Sequence, residues 1–205
     1  MTLTLIDYGS GNIRSVAKAL EAASDRRVRV TASPKDVASA GHLVVPGQGA
    51  FGQCRAGIET HEGLLESLNH AVLHHRVPYL GICVGMQLML NRGLEDGEHA
   101  GFGWIGGEVA RLALDDPSLK IPHMGWNQLQ VEANHPVLHG LNGKDMYFCH
   151  SFAARGVESP LATTPYGGAQ VAAIGRENMI GVQFHPEKSQ ALGLSLLAAF
   201  ATWMP

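Results

Sequence analysis

Pro78-Tyr79-Leu80-Gly81-Ile82-Cys83-Val84-Gly85-Met86-Gln87-Leu88-Met89-Leu90 reads as an extended run that turns sharply into a helix. One glycine stands two residues before Cys83 and another two after it. A helical run over residues 84–91 follows, with apolar faces made by Met86, Leu90 and the Leu88/Met89 pair. A nucleophile on a strand-to-helix turn requires this layout, because bulky neighbours would block the tight backbone and bury the reactive atom. The G-x-S-x-G elbow is the serine version, with sulfur here in place of oxygen. Unpaired N–H groups at the helix start favour a thiolate at Cys83. The stretch by itself fits a buried structural cysteine equally well.

Towards the N-terminus, residues 3–8 form a short apolar run that stops at Gly9-Ser10-Gly11-Asn12, which predicts a buried strand and a turn. Asn12 can cap the next helix, whose Ile13, Val16, Ala17 and Leu20 share one face. Gly9 and Gly11 suggest a dinucleotide loop, but Arg14 occupies the place of that fingerprint's third glycine. Residues 28–31 alternate as a second strand, Ser33-Pro34 opens a short helix, and residues 42–45 make a third strand. That strand runs into Pro46-Gly47-Gln48-Gly49, where two glycines either aim backbone N–H groups at a ligand or make a plain turn. A helix is expected over residues 60–76, with Leu64, Leu65, Leu68 and Val72 inside. His70 and His74 are four apart on it, but no third ligand is near in sequence, so no metal site is expected.

Strands separated by helices up to Cys83 predict a parallel sheet. Beyond Gly93 the texture changes. Residues 101–107 are glycine-rich, and strands are expected at 108–114, 128–131 and 146–152. Residues 170–175 and 179–184 read as a hairpin or adjacent strands turned at Arg176-Glu177-Asn178, and residues 187–203 as a closing helix. Antiparallel strands at one sheet edge follow from this.

A chain of 205 residues, 45% hydrophobic and 16% charged, fits one domain over residues 1–205 with a substantial core. A net charge of −3 argues against nucleic acid as a partner. Three widely spaced cysteines make no disulfide framework, which points to a reducing compartment. The first seven residues lack the basic region of a signal peptide, and residues 191–203 are too short to span a bilayer. A cytoplasmic protein with no membrane contact is expected.

Gly181-Val182-Gln183-Phe184-His185-Pro186-Glu187 is the second informative stretch. Pro186 disfavours helix at His185, and in an extended segment positions 185 and 187 face the same way. A carboxylate there can hydrogen-bond one imidazole nitrogen and leave the other as a base. The alternative is a strand end with Glu187 favouring the start of the last helix. Together with the elbow and the glycine loop, the stretch makes a nucleophile–base–orienter set.

Three blocks carry a resemblance to the triad-type class I glutamine amidotransferases: Pro46-Gly47-Gln48-Gly49, Gly81-Ile82-Cys83-Val84-Gly85-Met86-Gln87 and Gln183-Phe184-His185-Pro186-Glu187. Four more narrow it to the glutaminase subunits of imidazole glycerol phosphate synthases: Ile6-Asp7-Tyr8-Gly9-Ser10-Gly11-Asn12, Pro122-His123-Met124-Gly125-Trp126-Asn127, Tyr147-Phe148-Cys149-His150-Ser151 and Glu187-Lys188-Ser189. The resemblance spans the whole chain. It implies a flavodoxin-like three-layer α/β/α sandwich with a mostly parallel central sheet and antiparallel edge strands.

The same resemblance implies that Cys83 attacks the side-chain amide of L-glutamine, that His185 moves the proton and that Glu187 orients His185. A γ-glutamyl thioester forms, and water releases glutamate. The oxyanion would be held by the N–H of Val84 and one from Gly47, Gln48 or Gly49. Relatives often carry a small apolar residue at position 48, and a peptide flip there is held to switch the hole on. Gly49, Gln87 and the His150, Ser151, Phe152 segment match glutamine-binding positions. Asn12, Trp126, Tyr147 and Lys188 match positions facing a (β/α)8 cyclase subunit in a heterodimer. Their bland readings are a helix cap, two core aromatics and a solvated lysine. The partner takes the ammonia, closes the ring of imidazole glycerol phosphate and releases an aminoimidazole carboxamide ribonucleotide in histidine biosynthesis. No cofactor is implied, and Cys54 and Cys149 match no catalytic position. The competing readings are a glutaminase of another pathway, such as anthranilate or guanylate synthesis, and a silent subunit that only docks a partner.

Overall fold

The computed structural model describes residues 2–205. Strand β1 (Leu3–Ile6) leads through helix α1 (Ile13–Ala23) to β2 (Val28–Thr31), and α2 (Pro34–Ala38) leads to β3 (His42–Gly47). Helices α3 (Phe51–Glu59) and α4 (Leu64–Asn69) precede β4 (Tyr79–Cys83), which turns directly into α5 (Val84–Gln87). β1, β3 and β4 are buried along their whole length, as strands covered on both faces must be. Asn12 caps α1, its Oδ1 accepting from the Ser15 N–H at 3.4 Å.

The second half supplies β5 (Arg92–Gly93), β6 (His99–Ala100), β7 (Glu108–Arg111), β8 (His123–Gln128), β9 (Gln130–Val131), β10 (Asp145–His150), β11 (Phe152–Arg155), β12 (Ala162–Pro165), β13 (Ala169–Arg176) and β14 (Met179–Val182). Helix α6 (Gln190–Thr202) closes the chain. The main sheet has the order β2-β1-β3-β4-β14-β13-β12-β9. Its first five strands are parallel, and β13, β12 and β9 continue it antiparallel. A β10–β8 ribbon and a small β11-β7-β5-β6 sheet stand apart from it. Helices α1 and α6 pack together, as do α2, α3 and α4. Right-handed crossovers from β1 out to β2 and back past β1 to β3 put these two groups on opposite faces. The expected three-layer α/β architecture with an antiparallel edge is therefore present. No helix among the described residues is long and apolar enough to cross a membrane.

Several expected elements differ. The helix predicted over residues 60–76 is α4 continued by a π turn, His70–His74, and the unexpected α3 lies before it. Gly63, at φ +76°, separates the two helices. Leu65, expected inside, is half-buried. The helix predicted over residues 84–91 stops at Gln87, because the glycine-rich segment takes its carbonyls. Phe102 N–H donates to Leu88 O, Gly103 to Leu90 O, and Trp104 and Ile105 to Met89 O. The strand predicted at 128–131 is the end of β8 plus β9, broken at Leu129, whose N–H donates instead to Lys144 O at 2.9 Å. The run at 146–152 divides at Ser151 between β10 and β11, which belong to different sheets. β12 carries no sequence signal that announces it.

Candidate active site

Parallel pairing gathers three distant segments at the carboxyl ends of β3, β4 and β14. Gly47 lies opposite Cys83 across the β3–β4 pair. Ile82 lies opposite Val182 across β4–β14, so Gln183 emerges beside Cys83 and the chain reaches His185 two residues later. Cys83 has φ +55° and ψ −113°, a conformation that costs a non-glycine residue about 1–3 kcal/mol. The two glycines around it serve close packing. A Cβ at Gly85 would overlap the Val45 carbonyl, and one at Gly81 would stand 2.5 Å from the Gly85 oxygen. The turn is pressed against β3, and the sulfur stands at its outer edge.

His185 is held at several points. Its N–H donates to Tyr147 O at 2.9 Å, and its carbonyl accepts from Ser189 Oγ at 2.7 Å. Ser189 Oγ also accepts the Tyr147 N–H at 3.1 Å, tying the segment to β10. Glu187 Oε1 lies 2.9 Å from His185 Nδ1. The expected extended geometry holds at His185 (φ −104°, ψ 97°) but not beyond it, for residues Pro186–Lys188 make one 3-10 turn. The carboxylate thus meets the ring by folding back rather than by lying along a strand. Burial disfavours charge on His185, but hydrogen bonds to Cys83 and Glu187 and their negative charges outweigh it and raise its pKa to about 10. The ring is an imidazolium at neutral pH.

A cavity of about 390 Å³ opens beside this pair. Cys83, His185, Gln48, Gly49, Val84, Gln87, His150, Ser151 and Phe152 line it. Glu187 is buried behind His185, and Gly47 is not exposed to the cavity but packs on the elbow, where a Cβ would come 2.7 Å from Val84 Cβ. Lys188 and Glu95 are the charged side chains of the wall besides His185. Glu95 was not anticipated. The β5–β6 hairpin carries it to α3, whose N-cap position is Ala50, and its Oε2 accepts the Phe51 N–H at 2.9 Å across 44 residues of sequence. No local motif marks it; only an uncapped helix start hints that an acceptor must arrive from elsewhere.

The Gly47-Gln48-Gly49 loop is fastened from below. Gln48 O accepts from Ser10 Oγ at 2.5 Å and from Cys54 Sγ at 3.5 Å, and the Gln48 N–H donates to Ser10 Oγ at 3.3 Å. A trans peptide sends its N–H opposite to its C=O. The Gly49 N–H is therefore turned away from Ser10 and Cys54, neither of which lines the cavity.

His150 of the cavity wall is backed by a second buried histidine, His123. Phe152 O accepts from His150 Nδ1 at 2.9 Å, so His150 Nε2 is the acceptor for His123 Nδ1 at 3.2 Å. His123 stacks on Phe148 and Tyr166, with ring centroids 4.7 and 3.9 Å away. Burial lowers the pKa of both histidines to about 4, so both are neutral. Outside the cavity mouth, Trp126 and Tyr147 meet edge to face at 5.9 Å, and Lys188 Nζ lies 5.7 Å above the Tyr147 ring. Trp126 is 48% exposed and not a core aromatic, and Met124, two residues before it on β8, is 61% exposed. Asn12 is engaged as the α1 cap. Among the described residues no group of three or more potential metal ligands is brought together.

Residues 4–202 match the family model described as glutamine amidotransferase class-I. The chain belongs to the class I glutamine amidotransferase family, and as a member it is a glutaminase. Within the family it is similar, over its full length and theirs, to curated proteins named imidazole glycerol phosphate synthase subunit HisH. Identity is 50% over 214 residues to that of Rhodospirillum rubrum and 48% over 216 residues to that of Brucella abortus, each covering 100% of both chains. Two solved structures share the fold: one described as a glutamine amidotransferase (TM-score 0.74, 17% identity, 97% of this chain and 99% of that one) and PurLQS from Thermotoga maritima (TM-score 0.74, 16% identity, 98% and 97%).

Proposed function

We propose that this chain, one catalytic domain over residues 1–205, is the glutaminase subunit of an imidazole glycerol phosphate synthase. Cys83, His185 and Glu187 are its triad. The observation that carries the reading is the strand register that sets Gly47 against Cys83 and brings His185 to the same sheet edge. Cys83 sulfur, as thiolate beside the His185 imidazolium, attacks the side-chain amide carbon of L-glutamine. Val84 N–H and Gly49 N–H hold the developing oxyanion. The C–N bond breaks as His185 gives its proton to the departing nitrogen, leaving ammonia and a γ-glutamyl thioester. Neutral His185 then takes a proton from water, which attacks the thioester and releases glutamate. Gln87, Gly49 and the His150-Ser151-Phe152 wall bind the glutamine, with Glu95 available to its α-ammonium group.

The ammonia passes to a (β/α)8 cyclase subunit in a cytoplasmic heterodimer, where it is used to close the imidazole ring. The exposed Met124 and Trp126, with Tyr147, Lys188 and the Asn12 loop, are the face offered to that subunit. Cys83→Ala is expected to abolish glutamate release by the complex, and the free subunit should be slow until the partner and its nucleotide are added. Co-purification with the cyclase, then glutaminase assays with and without nucleotide, tests the assignment. Failure to bind that subunit while binding an anthranilate synthase partner would move the chain to another pathway.

A further inference from the structure

Gln183 is wholly buried, and the triad makes no use of it. Its side chain nevertheless ends on the reactive sulfur, with Nε2 3.6 Å from Cys83 Sγ. Its other end is bonded to Gln87, whose Nε2 lies 3.0 Å from Gln183 Oε1. Gln87 Nε2 also donates to Phe152 O at 3.1 Å.

The direction of this chain of bonds follows from its far end. A backbone carbonyl can only accept, so the Gln87 atom facing Phe152 O is the amide nitrogen. Both Gln87 N–H groups are then committed, one to Phe152 O and one to Gln183. The Gln183 atom facing Gln87 must be an acceptor, its oxygen, and a donor N–H is left facing the sulfur. With either amide turned over, two like ends would meet inside the protein at a cost of about 1–3 kcal/mol. The backbone of Gln183 is held as well, its N–H donating to Ala172 O at 2.8 Å, so the amide has little freedom to leave.

We propose that Gln183 is a further catalytic residue, a fixed N–H donor that holds the Cys83 sulfur in its attacking position and stabilises it as the anion. This rests on Cys83 being the nucleophile. His185 supplies the proton inventory; Gln183 supplies a neutral donor, which cannot take the proton back. An N–H bond to an ionised acceptor is roughly twice as strong as one to a neutral acceptor, so the donor favours the state that attacks. The same arrangement commits Gln87 to present its remaining amide atom, Oε1, to whatever occupies the cavity.

The test uses the full-length subunit with its partner and two variants. Gln183→Glu keeps the size and the acceptor for Gln87 but sets an oxygen against the sulfur; Gln183→Met removes both polar ends. Mass-resolved iodoacetamide labelling of Cys83 is followed from pH 5 to 10. The half-maximal pH should rise by about one unit in both variants, and labelling at pH 7 should fall about tenfold. Glutaminase kcat should fall at least about tenfold, with KM for glutamine within about threefold. Labelling curves that overlay the wild type overturn the inference. A wild-type curve that follows a free thiol would instead overturn the Cys83–His185 pairing, so the two failures are distinct. Should both variants fold poorly, NMR of the wild-type Gln183 side-chain amide decides. Its proton shift should titrate with the labelling midpoint and lose that dependence in Cys83→Ala; a flat shift in the wild type overturns the proposal.

Discussion

Cys83 and His185 meet at one cavity, but the chain holds them by different means. The Cys83 turn is placed by its backbone: a strained φ, two glycines that let the turn press on β3, and register with strands on both sides, with side-chain contact only at the sulfur itself. His185 is placed by side chains, tethered through Ser189, Glu187 and the Tyr147 backbone on a single 3-10 turn. Backbone placement tolerates loss of the side chain and resists movement. Side-chain placement can be dismantled one bond at a time, and it tunes charge as well as position.

The largest expected effect separates chemistry from strain at Cys83. Cys83→Ala should lower glutamine turnover by about ten-thousand-fold while leaving the fold intact, because the turn does not depend on sulfur. Cys83→Gly should be equally inactive but at least as stable as Cys83→Ala, since glycine accepts φ +55° without penalty. Thermal melts of the two variants check this. A clearly lower Tm for the glycine variant would show that the elbow is not strained.

Glu187→Gln attacks the side-chain-built half. The amide keeps the size but loses the charge, and kcat should fall by about 10²–10³-fold, since a misoriented or neutral imidazole protonates the leaving nitrogen poorly. The His185 pKa, raised to about 10 in the native protein, should fall. Because the folded value lies above the ordinary one near 6.5, native His185 holds a proton that the unfolded chain has released between those pH values. Its stabilising contribution is complete below about pH 6.5 and is lost as pH rises towards 10. The wild type should therefore lose stability along that alkaline limb more steeply than Glu187→Gln. Parallel urea titrations that show equal slopes would remove Glu187 from the pair.

His123 and His150 sharpen the contrast, for they share the cavity region with a charged histidine yet are neutral. Both are lowered to about 4 by burial. The unfolded chain takes up protons near pH 6.5 that the folded one refuses until about pH 4, so their contribution to stability is present above pH 6.5 and lost as pH falls towards 4. The loss should be of order 3 kcal/mol for each ring. Urea midpoints between pH 7 and 4.5, with NMR titration of the two rings, test it; rings that titrate near 6.5 would contradict it.

The two halves of the site were unequally legible. The elbow shows in sequence because close packing demands glycine at short, fixed spacing around Cys83. Asn12 as a cap and the β13–β14 hairpin are legible for the same local reason. Helix length was not, because the carbonyls after Gln87 are taken by residues 102–105, and no local propensity reports that competition. The exposed face of β8 and the reach of Glu95 to α3 are likewise long-range outcomes. The spacing of Glu187 from His185 does announce their contact, although a 3-10 turn and not a strand brings the two together.

The smallest expected effect lies between the two modes of placement, at Ser10. The Gln48–Gly49 peptide belongs to a backbone-built loop, but its orientation is set by side chains: Ser10 Oγ binds both polar groups of Gln48, and Cys54 adds a weaker bond to the same carbonyl. With that carbonyl fastened away from the cavity, the opposing Gly49 N–H is free for the oxyanion role proposed for it. Ser10→Ala removes two of the three bonds, and Cys54 retains the third. The peptide should then spend part of its time turned over. An orientation preference of about 1 kcal/mol corresponds to about a fivefold change in population, so kcat should fall about three- to tenfold. Glutamine KM should barely move, because the donor serves the developing oxyanion more than the bound amide. A variant with unchanged kcat and raised KM would mean that Ser10 shapes the binding cavity instead, and that the loop holds its own orientation as the elbow does.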